Sequence, residues 1–195
     1  MNKRLFIAFP VAIDSSLSAA LKRTRISAQK KEMEFNWTPE ANFHVTLSFL
    51  GNTPESRLPE LESLIREVAV ETPPLATSLR GMGAFPDERH MRVLWVGVRK
   101  SRALSELQSR LEEKLTAAGF VNEDRDYSPH LTIGRLRKSR AGGDLLSPYV
   151  RTSFGDVAVS AITLYESLLH GGHPVYNPLL SAALTGQPAE EEVES

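Results

Sequence analysis

Two short stretches place a histidine and a threonine two residues apart. "NFHVTLSFLG" carries His44 and Thr46, and "SPHLTIGR" carries His130 and Thr132. Strand side chains point alternately to opposite faces. In an extended segment His44, Thr46 and Ser48 therefore share one face, and Phe43, Val45, Leu47 and Phe49 share the other. The second stretch repeats this, with Leu131 and Ile133 on the apolar face. No other histidine follows the pattern: His90 sits in a turn-forming stretch, and His170 and His173 stand beside glycines.

Two such strands, side by side or related by a pseudo-twofold axis, would bring two imidazoles and two hydroxyls together. Imidazole titrates near neutral pH, so one ring can act as acid and the other as base. Threonine hydroxyls can donate to a non-bridging oxyanion. A tetrahedral centre attacked from one side and left from the other needs a base on the first side and an acid on the second. A phosphodiester fits that symmetry and needs no metal. The sequence has no Gly-x-Ser-x-Gly elbow, no His-Glu-x-x-His and no Gly-x-x-x-x-Gly-Lys loop. Two other readings use the same residues. A nucleotide- or RNA-binding module would grip its ligand without turnover, but it has no need of two titrating groups. A metallohydrolase would use His44 and His130 as ligands, but neither motif has an obvious third or fourth ligand nearby.

Composition sets broader limits. The chain has 195 residues, 41% hydrophobic and 24% charged, enough for one large domain or two small lobes. No apolar run approaches the roughly 18 residues of a membrane span, and the apolar stretch in "MNKRLFIAFP" is too short for a signal-peptide core. The absence of cysteine rules out disulfides and thiol catalysis and suits a reducing cytoplasm. The net charge is -1, but Glu190, Glu191, Glu192 and Glu194 lie in the terminal "GQPAEEEVES", and without them the body is +3. We expect a single domain over residues 1–184 and an acidic, disordered tail over 185–195. "GRLRKSR" gathers Arg135, Arg137, Lys138 and Arg140, a cluster that reads as a solvated loop able to draw in a phosphate.

The elements that must hold the motifs are mixed. Strands are expected over Arg4–Pro10, Phe43–Leu50, Leu75–Gly83, Met91–Val98, Tyr127–Ile133 and Val157–Leu168. Helices are expected after Asp14 or Ser15 (Leu17, Leu21 and Ile26 buried), over Glu55–Val70, and from Ser101 to Gly119 (Leu104, Leu107, Leu111 and Leu115 buried). "WTPEANF", the segment at Gly142–Gly143 and "HGGHPVYNPLL" read as loops, the last with a short closing segment. Helices do not follow every strand, which argues for α+β. By parity Phe49 is expected in the core, and Trp95, lying within "VLWVGV", is expected there as well. Trp37 suits either base stacking or loop anchoring, and Tyr176 either substrate contact or packing. Arg125, Arg137 and Lys138 are expected to be mostly solvated.

Paired His-x-Thr-x motifs are the mark of the 2H phosphoesterase superfamily. "RLFIAFP", "WTPEANFHVTLSFLG", "MRVLWVGV", "SPHLTIGR" and "SLLHGGHPVYNPL", in that order, resemble its RNA 2′,3′-cyclic phosphodiesterase branch, also called the 2′-5′ RNA ligase family. The resemblance covers about residues 3–180. It implies two pseudo-symmetric lobes of antiparallel sheet with outer helices, facing across a central cleft, each giving one motif. It implies hydrolysis of RNA ends or nucleotides bearing a 2′,3′-cyclic phosphate to 2′-phosphomonoesters, with no cofactor or metal. His44 would then be the general acid and His130 the base. Thr46, Thr132 and Arg135 would hold the phosphate, with Trp37 and Tyr176 as further substrate contacts. A monomer suffices for such a cleft, and no nucleotide-activation site for ATP-driven ligation is present.

Overall fold

The computed structural model describes residues 1–120, 127–170 and 173–187. Arg125 and the four tail glutamates lie outside the described residues. Strand β1 spans Asn2–Pro10, β2 Phe35–Trp37, β3 His44–Pro54, β4 Leu75–Phe85, β5 Met91–Val98, β6 His130–Arg140, β7 Ser153–Val159, β8 Ala161–His170 and β9 His173–Ala183. Helices are α1 (Ser15–Lys30), α2 (Leu58–Glu71), α3 (Arg102–Ala117) and the single turn α4 (Gly143–Leu146).

The helices start and stop where local chemistry dictates. The Asp14 carboxylate caps α1 by accepting from the Leu17 N–H at 2.9 Å, and the Ser101 hydroxyl caps α3 by accepting from Leu104 at 3.2 Å. Gly119, just past α3, has φ +74°, the left-handed value that ends a helix at low cost in glycine. The buried stripe of α1 is Leu17, Ala20, Leu21, Thr24 and Ala28. Ile26, expected on that face, is 46% exposed, because two residues beyond Thr24 is the far side of a 3.6-residue turn. Glu55–Arg57 forms a separate 3₁₀ turn, so α2 begins later than expected. Among the described residues no helix is long and apolar enough to cross a membrane.

All strands join one antiparallel sheet in the order β7-β4-β5-β6-β3-β1-β8-β9, with β2 paired to β6. Read outward from the middle, one half runs β3-β1-β8-β9 and the other β6-β5-β4-β7. These are the two lobes. They are halves of a continuous sheet, and they meet at one residue pair, Val45 with Leu131. These two residues hold the same position in the two motifs, so the pair lies on the pseudo-twofold axis.

The expected strand Val157–Leu168 is two strands. Val159 pairs with β4 near one end of the sheet, and Ala161 pairs with β9 at the other, with only Ser160 between them. A direct link between opposite ends requires the sheet to curl until those ends approach. β9 replaces the loop expected for "HGGHPVYNPLL", α4 replaces the one at Gly142–Gly143, β2 occupies part of the approach to the first motif, and "GRLRKSR" is the second half of β6. Beyond Leu184 the chain is still tied to α2: the Thr185 N–H donates to the Ala69 carbonyl and the Gly186 N–H to that of Thr72.

Candidate active site

Each motif histidine is the first residue of its strand, and each is oriented in the same way. His44 Nδ1 lies 2.7 Å from the Asn42 carbonyl, and His130 Nδ1 lies 2.8 Å from the Ser128 carbonyl. A carbonyl can only accept, so Nδ1 must carry the hydrogen in both rings. That leaves each Nε2 free to take or give a proton.

The pairing of Val45 with Leu131 sets His44 across from Thr132 and His130 across from Thr46, since antiparallel partners run in opposite senses. Each imidazole thus neighbours the other motif's hydroxyl. Two β-bulges then depart from strict alternation. Ala8 pairs with Thr46 but Ile7 with Ser48, so Leu47 is an extra residue in β3. Trp95 pairs with Thr132 but Leu94 with Gly134, so Ile133 is an extra residue in β6. The bulges occupy the same motif position, and each reverses the parity of the residues after it. Phe49, expected in the core, turns onto the histidine face, and so does Arg135. Ser48, expected beside His44 and Thr46, turns instead toward α3, where it hydrogen-bonds Glu112.

Two adjoining cavities result. One, about 440 Å³, is lined by His44, Arg4, Phe6 and Tyr176. The other, about 700 Å³, is lined by His130, Phe85, Arg92 and Tyr127. Thr46, Phe49 and Arg135 line both, so they stand between the histidines. Thr132 shares the face but is not among the residues lining either cavity. Among the described residues no ion pair involves Arg135, which lines both cavities.

Aromatic rings hold the imidazoles. His44 lies 5.0 Å from Phe6 and meets Tyr176 edge-on at 5.0 Å. His130 meets Phe85 edge-on at 4.9 Å and lies 6.4 Å from Trp95. Trp95, expected in the core, is half-buried on the histidine side. Gly83 makes room for it, since a Cβ there would fall 2.3 Å from the indole ring. Tyr176 is part of the site wall. Trp37 is not: it pairs with Gly134 on the other side of β6 and stacks on Phe35 at 4.4 Å.

Burial lowers the His44 pKa below its ordinary value. The charges of His130 and Arg135 act the same way, and the Asn42 carbonyl opposes them. His130 is also lowered, by burial and by Arg135, against the Ser128 carbonyl. Burial raises the Tyr176 phenol, keeping its hydroxyl a donor. Among the described residues no group of three or more His, Cys, Asp or Glu side chains is placed to hold a metal.

Sequence reasoning missed Arg4, Phe6, Phe85 and Arg92 as lining residues. They come from neighbouring strands and carry no motif. Phe6 had one available signal, alternation within "RLFIAFP", but a strand apolar on both faces hides which face is the core.

The family model of the 2′-5′ RNA ligase superfamily matches residues 13–171. An RNA 2′,3′-cyclic phosphodiesterase of Archaeoglobus fulgidus is 36% identical over 179 residues, covering 90% of this chain and 97% of that protein. One of Methanothermobacter thermautotrophicus is 31% identical over 182 residues, covering 92% and 97%. The crystal structure of TT0787 of Thermus thermophilus superposes with a TM-score of 0.77 at 27% identity, over 95% of this chain and 100% of that one. Escherichia coli LigT complexed with 3′-AMP gives 0.71 at 25% identity, over 95% and 99%. With both motifs inside the matched span, the chain belongs to the 2′-5′ RNA ligase superfamily.

Proposed function

We propose that this protein opens RNA 2′,3′-cyclic phosphodiester ends to 2′-phosphomonoesters by two-histidine acid–base catalysis without a metal. The observation that carries the reading is the matched pair of imidazoles, each held through Nδ1 by a backbone carbonyl, on either side of Arg135 and Thr46. The names of the archaeal relatives support the substrate, and the LigT complex with 3′-AMP supports a nucleotide in the site.

The phosphate sits between the rings. Arg135 makes a charge-assisted contact to its non-bridging oxygens, and Thr46 and Thr132 donate to them. His130 Nε2 takes a proton from water as the water oxygen bonds to phosphorus. The bond to the ribose 3′ oxygen breaks opposite, and His44 Nε2–H protonates that oxygen. The phosphate stays on the 2′ oxygen, and the proton gained by His130 returns to His44 through solvent. Both imidazoles are tuned toward neutrality in the empty site. The substrate's negative charge offsets Arg135 and favours protonation of the acid. All these groups come from one chain, which supports a monomer, and the cysteine-free composition supports a reducing cytoplasm.

The test is turnover of a 2′,3′-cyclic nucleotide in excess EDTA, with identification of the product. Retained activity and a 2′-phosphate product are expected, and His44→Ala and His130→Ala should each lower kcat by about 10²–10⁴-fold. Variants as active as the wild type would refute the catalytic reading. Loss in EDTA with recovery on zinc would replace it with a metal mechanism. Tight binding without turnover would make the cleft a binding module.

A further inference from the structure

A third groove, about 600 Å³, lies between α1 and β2 and belongs to neither histidine cavity. Its floor is apolar and aromatic: Ile26, Met33, Phe35 and Trp37 line it. Its rim is cationic, with Lys22 and Arg25 from α1 and Arg137 from β6, against one acid, Glu34, which forms an exposed ion pair with Arg137 at 3.8 Å that a phosphate would have to displace. The Arg25 guanidinium lies over the Trp37 indole at 5.6 Å, and its Nε is buried without a partner. Ile26 is exposed here, on the side of α1 away from the core.

The groove and the catalytic centre share strand β6. Asn36 pairs with Arg135, Phe35 pairs with Leu136, and the Arg137 N–H donates to the Glu34 carbonyl, so alternation holds from Arg135 to Arg137. Arg135 and Arg137 therefore project from the same face, about 7 Å apart at the usual rise per residue. The first lines both histidine cavities, and the second lines the groove. By the same alternation Phe35 and Trp37, opposite Leu136 and Gly134, project from the other face, so the cation of Arg137 and the aromatic floor come together only at β2, where both line the groove. That combination binds single strands, because every base has a face to stack and every linkage carries a phosphate.

We propose that the α1–β2 groove seats the single-stranded RNA body on the 5′ side of the reacting end, with Arg137 and Lys22 on its phosphates and a base against the Phe35–Trp37 pair. This rests on the RNA-end reading above but adds a requirement to it: an oligonucleotide should use surface that a mononucleotide does not reach. Trp37, expected from the sequence near the substrate, would then meet a base remote from the reacting phosphate.

The experiment compares a 2′,3′-cyclic mononucleotide with a six-nucleotide RNA ending in a 2′,3′-cyclic phosphate, using the whole protein. Lys22→Glu and Arg137→Glu are both exposed-surface changes, and thermal unfolding checks that each variant is folded. For the oligonucleotide, kcat/KM should fall about tenfold in each variant, mainly through KM. The slope of log affinity against log salt should become shallower by about 0.7 per phosphate contact removed. Mononucleotide turnover should stay at the wild-type level. Unchanged oligonucleotide kinetics, or equal losses on both substrates, would overturn the groove assignment. If the wild type opens neither substrate, the reaction reading fails instead. Anisotropy of a labelled six-nucleotide RNA then judges the groove alone: the charge reversals must weaken binding, or the assignment falls.

Discussion

At the scale of single residues, Arg135 is the side chain common to the surroundings of both histidines. It lines both cavities, and it depresses the pKa of both imidazoles on top of what burial does. Both rings are thus biased toward the neutral form, beside a cation that lines both cavities. Arg135→Gln removes the charge while keeping a polar side chain of similar reach. Both imidazoles should then titrate at higher pH in the free protein, which nuclear magnetic resonance of the ring protons reads directly. The rate profile should follow. Activity rises as the base loses its proton and falls as the acid loses its own, so both limbs of kcat/KM should move to higher pH, with apparent values that belong to the pair. Losing a charge-assisted hydrogen bond of about 1.5–3 kcal/mol should cost roughly 10- to 100-fold in kcat/KM at the optimum. Imidazole titrations that stay in place would show that Arg135 does not face the histidines.

At the scale of elements, the two bulges explain what can be read from the sequence and what cannot. The strands carrying the motifs, the hairpin of β4 and β5 and the capped helices follow from period and capping residues. So does the shared face of His44 with Thr46 and of His130 with Thr132, because alternation holds up to the threonine. It fails one residue later. An extra residue carries no composition signal, so pattern alone puts Phe49 and Ser48 in the wrong surroundings. Trp95 is a separate case, since β5 alternates regularly and it falls on the face opposite the buried Leu94, Val96 and Val98. Arg135 reaches the cleft only because Ile133 is extra. β9 escapes notice although "HGGHPVY" places two glycines between strand-like runs, a hairpin signal. The short β2 has no period to detect and is held by its fit to β6. Gly134 makes that fit possible: a Cβ there would meet the Phe35 ring and the Trp37 indole at 3.0 Å. Gly134→Ala should therefore push β2 outward and cost about 1–3 kcal/mol in thermal or urea unfolding, as overpacking does. Trp37 should become more exposed to a fluorescence quencher. Unchanged stability and quenching would mean that β2 is not seated on Gly134.

For the molecule as a whole, the pseudo-twofold arrangement places one motif histidine in each half of the sheet, and the geometry between them depends on how the halves join. They share a single ladder pair, Val45 with Leu131, at the motif position next to each histidine. The link at Ser160 closes the curl on the other side, where the Leu184 N–H donates to the Ser160 carbonyl at 2.8 Å. The seam is thus narrow beside the two histidines and braced again at Ser160. Leu131 is fully buried, as is Leu111 in α3, and truncating either to alanine should cost about 2–5 kcal/mol of stability. Their effects on turnover should part. Leu131→Ala loosens the joint that sets His130 against His44, and a displacement of about 1 Å between reacting groups can cost roughly 100-fold. We expect kcat on a cyclic mononucleotide to fall at least about tenfold in Leu131→Ala at a temperature where the protein is still folded. Leu111→Ala should keep near-wild-type kcat despite a similar loss of stability. If the two variants lose kcat in proportion to their stability alone, the seam has no special part in aligning the pair. If Leu131→Ala alone loses kcat beyond its loss of stability, the distance between the histidines is controlled by how the two halves of the sheet are joined.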